Sequence, residues 1–240
     1  MPSFMRGNRK KFIIARTVAF NVCVLYNIDM NDLSLNEYLK SPCRACSIPY
    51  WKQKITVIPS GMKIVHDEDF IAERFLGYVD DRYFRLYHGL KSIDPSENDD
   101  VEIIAATPDK TDVLIDIINT SYRDLSVTKD RLTEFRKTQV YNPDLWILLK
   151  YKDSDVYVGS GIADYDGEAG ELILEWIQIL PQYRGRGFGR LIVNRLLATM
   201  RGTAKFATVS GKIDNPTNAE MLYRKCGFVG NDVWHILRKK

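Results

Sequence analysis

The part of the chain that most limits its fold runs from Leu172 to Met200. The apolar segment "LILEWIQIL" meets Pro181. Arg184 to Arg190 then pack three glycines and three arginines into seven residues, and "LIVNRLLATM" follows with Leu191, Leu196 and Leu197 among its apolar residues. This reads as strand, glycine turn, helix. At a helix start the first four backbone N–H groups have no partner inside the helix, and the helix dipole adds partial positive charge. Such an end binds anions. Glycine lets an anion approach the backbone closely, and Arg184, Arg186 and Arg190 can add charge-assisted hydrogen bonds. The run is therefore a phosphate grip, and its spacing decides whose phosphate.

A P-loop needs Lys-Ser/Thr directly after its last glycine, and this turn has none. A dinucleotide fingerprint needs G-x-G-x-x-G; counted from Gly185 and Gly187, the third glycine position is Arg190. The acidic residue expected about 20 positions on is also missing around Thr203 to Thr208. What the stretch spells is R-x-x-G-x-G, from Arg184 through Gly187 to Gly189. Charge argues against a nucleic-acid partner. The net charge is +3, residues 1–100 carry 14 Lys+Arg against 13 Asp+Glu, and residues 101–240 carry 20 against 18. Neither part is a basic module.

Around this unit the pattern continues. "VEIIAAT" reads as a strand. "DKTDVLIDIINTSY" reads as a helix, capped by Asp109 or Thr111, and "TKDRLTEFRKT" as a second, more polar helix. "LWILLKY" and "DVYVGSGIADYD" read as strands, as does "ELILEWIQIL". Beyond the glycine turn and its helix come the strand "KFATVSGKI", the short helix "TNAEMLYRKCG" and the strand "FVGNDVWHIL". The order is not a regular βαβ array, so the expected class is α+β, or mixed α/β. "SIDPSENDD", Ser92 to Asp100, has linker composition. It separates an expected small α/β extension or domain at 1–95 from a domain at 101–240. In the first part, "LSLNEYLKSP" reads as a helix stopped before Pro42. "KITVI" and "MKIVHD" read as strands around a "PSG" turn, and "RYFRLYHGL" as a half-buried strand, with a short helix as the alternative. Tyr50, Trp51, Tyr83, Phe84 and Tyr87 are expected to seed a small core there.

"MRGNRKKFIIARTVAFNVCVLY" has basic residues before an apolar run, but Arg16 and Asn21 interrupt it, so it reads as a first helix or strand. No run of about 18 apolar residues is present to span a membrane. Cys43 and Cys46 form a C-x-x-C that no second Cys/His pair completes into a zinc site; two reduced thiols in a turn are expected, and no metal. The cysteine usage suits a reducing, cytoplasmic setting.

Two motifs together resemble those of the GNAT superfamily of N-acetyltransferases. "LEWIQILPQYRGRGFGRLIVNRLL" is similar to the family's coenzyme-A motif, [Q/R]-x-x-G-x-[G/A] between a strand with Pro and a helix. "NPTNAEMLYRKCGF" is similar to its N…A-x-x-L-Y-x-x-x-G-F, with Ala219, Leu222, Tyr223, Gly227 and Phe228 in place. Asn215 lies eight residues before Tyr223 where the family more often has seven, so Asn215 or Asn218 fills the asparagine role. The resemblance covers about residues 101–240; residues 1–100 match no family. It implies a central mixed sheet flanked by helices, in which "LILEWIQIL" splays from "KFATVSG". Acetyl-CoA would lie in the gap, on the backbone of Ile177, Gln178 and Ile179. Gly185, Arg186, Gly187, Phe188, Gly189 and Arg190, with Arg184, would hold its pyrophosphate, and Asn215 or Asn218 its pantetheine amide.

The implied reaction is direct attack of an amine on the acetyl thioester, with no covalent enzyme intermediate. The acceptor is a small-molecule amine or a protein or peptide amine. An amine with pKa near 10 is about 0.1% free base at pH 7 and needs a base. Glu175 is the leading candidate, acting directly or through water. Strand alternation sets Ile173, Glu175, Ile177 and Ile179 on one face, and a carboxylate among isoleucines needs pairing, water or a raised pKa. Glu171, nearer the strand start, is expected to be solvated. His66, His88 and His235 are alternatives. Some relatives place a glutamate where this chain has Ser210. Tyr223 resembles the family tyrosine facing the coenzyme sulfur and is the candidate acid, and a free N–H near Ile179 would face the oxyanion. The competing reading is a catalytically silent CoA-binding sensor or interaction module. The oligomeric state, monomer or homodimer, is left open.

Overall fold

The computed structural model describes residues 33–94, 97–122 and 126–240. The helix or strand expected in "MRGNRKKFIIARTVAFNVCVLY" lies outside them. The described residues build one eight-stranded mixed sheet from β1 (Met62–His66), β2 (Tyr78–His88), β3 (Val101–Ala105), β4 (Trp146–Tyr151), β5 (Tyr157–Asp166), β6 (Glu171–Ile179), β7 (Phe206–Lys212) and β8 (Val229–Lys239). The spatial order is β1-β8-β2-β7-β6-β5-β4-β3. Neighbours are antiparallel except β6 and β7, which run parallel. β1 and β2, from before the Ser92–Asp100 stretch, thus belong to the same sheet as the later strands, with β2 between β7 and β8.

The helices are α1 (Leu35–Lys40), α2 (Pro42–Ala45), α3 (Tyr50–Gln53), α4 (Thr111–Ser121), α5 (Lys129–Phe135), α6 (Phe188–Thr199) and α7 (Ala219–Lys225). The side-chain alternation of β4 shows how they layer. Ile147 and Leu149 join a core with Leu191, Ile192 and Leu196 of α6 and Tyr223 of α7. Trp146 and Leu148 join the opposite core, with Leu114 and Ile118 of α4 and Leu132 of α5. Both faces of the strand are covered, so "WILL" is apolar without a break.

Three local expectations differ from the structure. "KITVI" forms no strand. Ile55 and Val57 are among the most exposed apolar residues, so its β-prone composition meets no core to hold it. Neither Asp109 nor Thr111 caps α4. Pro108 to Lys110 form a short 3-10 turn, and the Thr111 hydroxyl donates to the Pro108 carbonyl at 2.7 Å. Glu171 is not solvated: its side chain is fully buried. It accepts hydrogen bonds from Tyr38 Oη at 2.8 Å, Arg85 Nη2 at 3.2 Å and Thr208 Oγ1. Strand position alone does not show that β2 and α1 close over it.

Candidate active site

β6 and β7 stay paired only from Glu171↔Phe206 to Leu174↔Val209. Beyond that, β7 remains on β2, through Ser210↔Arg85 to Lys212↔Tyr83. β6 remains on β5, up to Ile179↔Gly159. The two strands therefore part after Leu174, as the resemblance implies. Ile177, Gln178 and Ile179 lie along the β6 side of the gap. The Ile177 and Ile179 side chains pack on the α6 core. Gln178 is buried on the other face; its Oε1 accepts from Ser160 Oγ at 2.9 Å and its Nε2 donates to Tyr122 Oη at 3.4 Å.

Where the strands part, β6 carries a bulge. Ile162 of β5 faces Trp176, but the next residue, Ala163, faces Leu174, so Glu175 is the extra residue. The bulge breaks the simple alternation. Ile173 packs with Trp51 and Val140, whereas Ile177 and Ile179 pack on the α6 side, so these isoleucines do not share one face. Glu175 is turned to the side of α3, where its Oε1 is ion-paired with Lys52 Nζ. Both side chains are largely buried, at 9% and 10% exposure.

A second carboxyl lies beside this pair. Asp164 faces Ile173 directly across β5 and β6, and cross-strand partners project on the same face of a sheet. Its pKa is pushed up to about 8, first by burial and then by the Glu175 carboxylate, with Lys52 acting in the opposite direction. Neither Asp164 nor Lys52 is singled out by sequence. Lys52 comes from a helix over a hundred positions away, and Asp164 sits at the end of an ordinary strand.

The glycine turn follows β6 through a 3-10 turn, Pro181–Tyr183. Gly185 and Gly187 have φ of 79° and 82°, and a Cβ added at either would meet nothing within 4 Å. This is the left-handed region that glycine adopts without penalty, and it leaves the start of α6 open to a ligand. Phe188 is buried in the core, and Gly189 lies against Leu222 of α7. The arginines surround the turn. Arg184 Nε donates to the Ile179 carbonyl at 3.0 Å, Arg186 Nη1 donates to Tyr151 Oη at 3.0 Å, and Arg190 pairs with Asp94. A cleft of about 370 Å³ lies between Arg186, Gly187 and Arg190 on one side and Asp94, Glu97 and Asn98 on the other. The linker-like stretch thus packs against the turn.

Tyr223 of α7 is buried, against Phe84 and Phe228. Burial holds its hydroxyl pKa far above the ordinary value, with Tyr122 and Cys226 adding to the effect. Asn215 Oδ1 accepts from Thr217 N at 2.9 Å and Thr217 Oγ1 at 2.7 Å, closing the loop before α7. Asn218 takes the N-cap position of α7 with φ of 52° and makes no side-chain cap bond. The histidines have structural partners: His66 Nε2 with Asp232, and His235 with Asp80 and Asp67. His88 Nδ1 accepts from Leu90 N, and burial lowers its pKa. Cys43 and Cys46 are buried, and burial pushes the Cys43 thiol up to about 11. Among the described residues no group of three or more His, Cys, Asp or Glu is placed to hold a metal ion, and no helix is long and apolar enough to cross a membrane.

Residues 144–230 match the family model of the acetyltransferase (GNAT) domain. Over that span the chain is similar to a GNAT domain. Among solved structures, a GCN5-related N-acetyltransferase from Sphaerobacter thermophilus superposes with a TM-score of 0.63 at 19% identity, over 74% of this chain and 58% of that one. A tandem GNAT protein from the clavulanic acid biosynthesis pathway gives 0.56 at 12% identity, over 73% and 62%. A functionally unknown conserved protein from Staphylococcus epidermidis gives 0.54 at 14% identity, over 86% and 81%. At these identities the likeness is one of fold, and the aligned part spans less than two thirds of the first two proteins. A search of curated proteins by sequence finds no match. The GNAT match takes in β6, the bulge at Glu175, the glycine turn and Tyr223. It leaves out Lys52.

Proposed function

We propose that this chain is an N-acetyltransferase that moves an acetyl group from acetyl-CoA to a primary amine by direct attack. One observation carries the reading: the sheet parts at the Glu175 bulge, and the strand that parts there leads directly into the glycine turn. The residues present suit coenzyme A. Gly185 and Gly187 leave the start of α6 open, and Arg184, Arg186 and Arg190 stand around it. Gly185 through Arg190 would hold the pyrophosphate, and the β6 edge from Ile177 to Ile179 would take the pantetheine arm. When bound, acetyl-CoA supplies an activated acetyl thioester.

The chain's own groups have three tasks. Glu175 is the carboxylate that draws a proton from the acceptor ammonium, directly or through water. Tyr223 keeps its proton, because burial raises its pKa. It therefore serves the departing thiolate as a hydrogen-bond donor; full proton transfer to a thiolate, whose ordinary pKa is about 8.5, is uphill. A free backbone N–H near Ile179, on the strand that parts from β7, serves the developing oxyanion.

The test is a thermal shift with acetyl-CoA, followed by thiol release with a panel of primary amines. Acetyl-CoA should stabilise the protein, and at least one amine should release thiol at a rate that Glu175→Gln reduces about a hundredfold or more. Absence of any acetyl-CoA stabilisation would sink the reading. Stabilisation without turnover on any amine would favour the silent CoA-binding module.

A further inference from the structure

The Lys52–Glu175 contact poses a chemical problem. A base must reach the acceptor's nitrogen, yet the Glu175 carboxylate is already paired with a lysine ammonium. Among the described residues the carboxyl groups around it outnumber the cations. α3 contributes one cation, Lys52. The sheet contributes two carboxyl groups, Glu175 from β6 and Asp164 from β5, both on the face that α3 covers. Among the described residues no hydrogen bond or ion pair closes on the Asp164 carboxyl. Two carboxyl groups with one ammonium leave room for one further positive charge. A protonated primary amine supplies it.

We propose that Asp164 is a catalytic residue that holds the acceptor's ammonium and receives the proton it gives up. This rests on the acetyltransferase reading above and deepens it by assigning the acceptor side. In the resting site Asp164 is protonated, because burial and Glu175 disfavour a second negative charge. Arrival of a cation reverses that balance, and Asp164 releases its proton to solvent as it binds the ammonium. On the way to attack, one N–H proton passes to a carboxylate of the Glu175–Asp164 pair. Asp164 retains it, since Glu175 stays paired with Lys52. No electron is transferred. Nitrogen gives up that first proton, forms the N–C bond and then loses a second proton; the C–S bond of the thioester breaks, the second proton leaves with the thiolate as thiol, and the first passes from Asp164 to water. The charge count also selects the acceptor. A primary alkylammonium with no carboxylate beside it completes the pairing. A zwitterionic amino acid brings no net charge and leaves a carboxylate unmatched.

The deciding experiment compares wild type with Asp164→Asn and Asp164→Glu, using propylamine and the zwitterionic amino acid alanine as acceptors. For wild type, kcat/KM with propylamine should climb through pH about 8, and alanine should be used far less well. Asp164→Asn should lose that limb, raise KM and cut kcat/KM about a hundredfold, with partial rescue by Asp164→Glu. A second measurement needs neither the variants nor acetyl-CoA. Carbon-13 NMR of aspartate carboxyls in wild type should show one titrating well above the rest, with a midpoint that falls when propylamine is added. Unchanged KM and pH profile in Asp164→Asn overturn the proposal, as does the absence of a high-titrating carboxyl. If wild type acetylates no amine at all, the acetyltransferase reading fails with it. If wild type acetylates propylamine and Asp164→Asn does so equally, only the role of Asp164 is lost.

Discussion

Arg85 Nη2 lies 3.2 Å from Glu171 Oε1, and neither side chain is reached by solvent. Arg85 belongs to β2 and Glu171 begins β6, so the pair ties an N-terminal strand to the strand that carries the candidate base. Tyr38 of α1 joins it, accepting from Arg85 Nη2 and donating to Glu171 Oε2. A buried pair of this kind contributes little net stability while intact, but losing one partner strands a charge in the core. Glu171→Leu should cost about 3–5 kcal/mol. Arg85→Leu combined with Glu171→Leu should cost clearly less than the two single changes added together. Urea denaturation of the three variants measures this. Additive losses would show that the two charges are not coupled.

The raised pKa of Asp164 has a consequence for stability that does not depend on catalysis. Its folded-state pKa, about 8, is above that of an unfolded aspartate. The folded state therefore binds the proton more tightly, and the stabilisation is fully present below about pH 4. It is lost as pH rises toward 8. Wild type should lose stability relative to Asp164→Asn across that window. Thermal melts of both proteins at several pH values provide the comparison, and parallel curves would refute the shift.

Gly187 can be tested by a single methyl group. An alanine there has space, since nothing lies within 4 Å, but its φ of 82° is strained. Gly187→Ala should cost about 1–2 kcal/mol of stability. If the turn grips the pyrophosphate, its Kd for acetyl-CoA should rise more than about tenfold, because the methyl group stands where phosphate approaches. Calorimetry with an unchanged Kd would move the pyrophosphate elsewhere.

Tyr223→Phe keeps the ring in its aromatic packing and removes only the hydroxyl. Its melting temperature should stay close to that of wild type. A hydrogen bond to a charged group contributes about 1.5–3 kcal/mol, so kcat should fall about tenfold to a hundredfold. Acetyl transfer at the wild-type rate would remove Tyr223 from the chemistry.

Local pattern carried much of this protein. The failed P-loop and dinucleotide spacings of "RGRGFGR", read with "NAEMLYRKCGF", pointed to a coenzyme-A turn, and residues 144–230 match the GNAT domain model. The strand, turn and helix around that turn stand where the apolar runs put them, because period and turn chemistry are local properties. Glu175 could be singled out as a carboxylate among isoleucines, but not its direction. That depends on a bulge, which appears only when β5 lies beside β6 and the register slips by one residue. The buried state of Glu171, the Lys52 ammonium on Glu175 and the single face shared by Asp164 and Ile173 needed the whole sheet. Each joins residues that are distant along the chain or set on different strands, and burial and electrostatics depend on what is near in space. The sequence by itself determined the strand, the glycine turn and the helix; only the tertiary structure decided what packs against them, because burial and charge depend on neighbours in space.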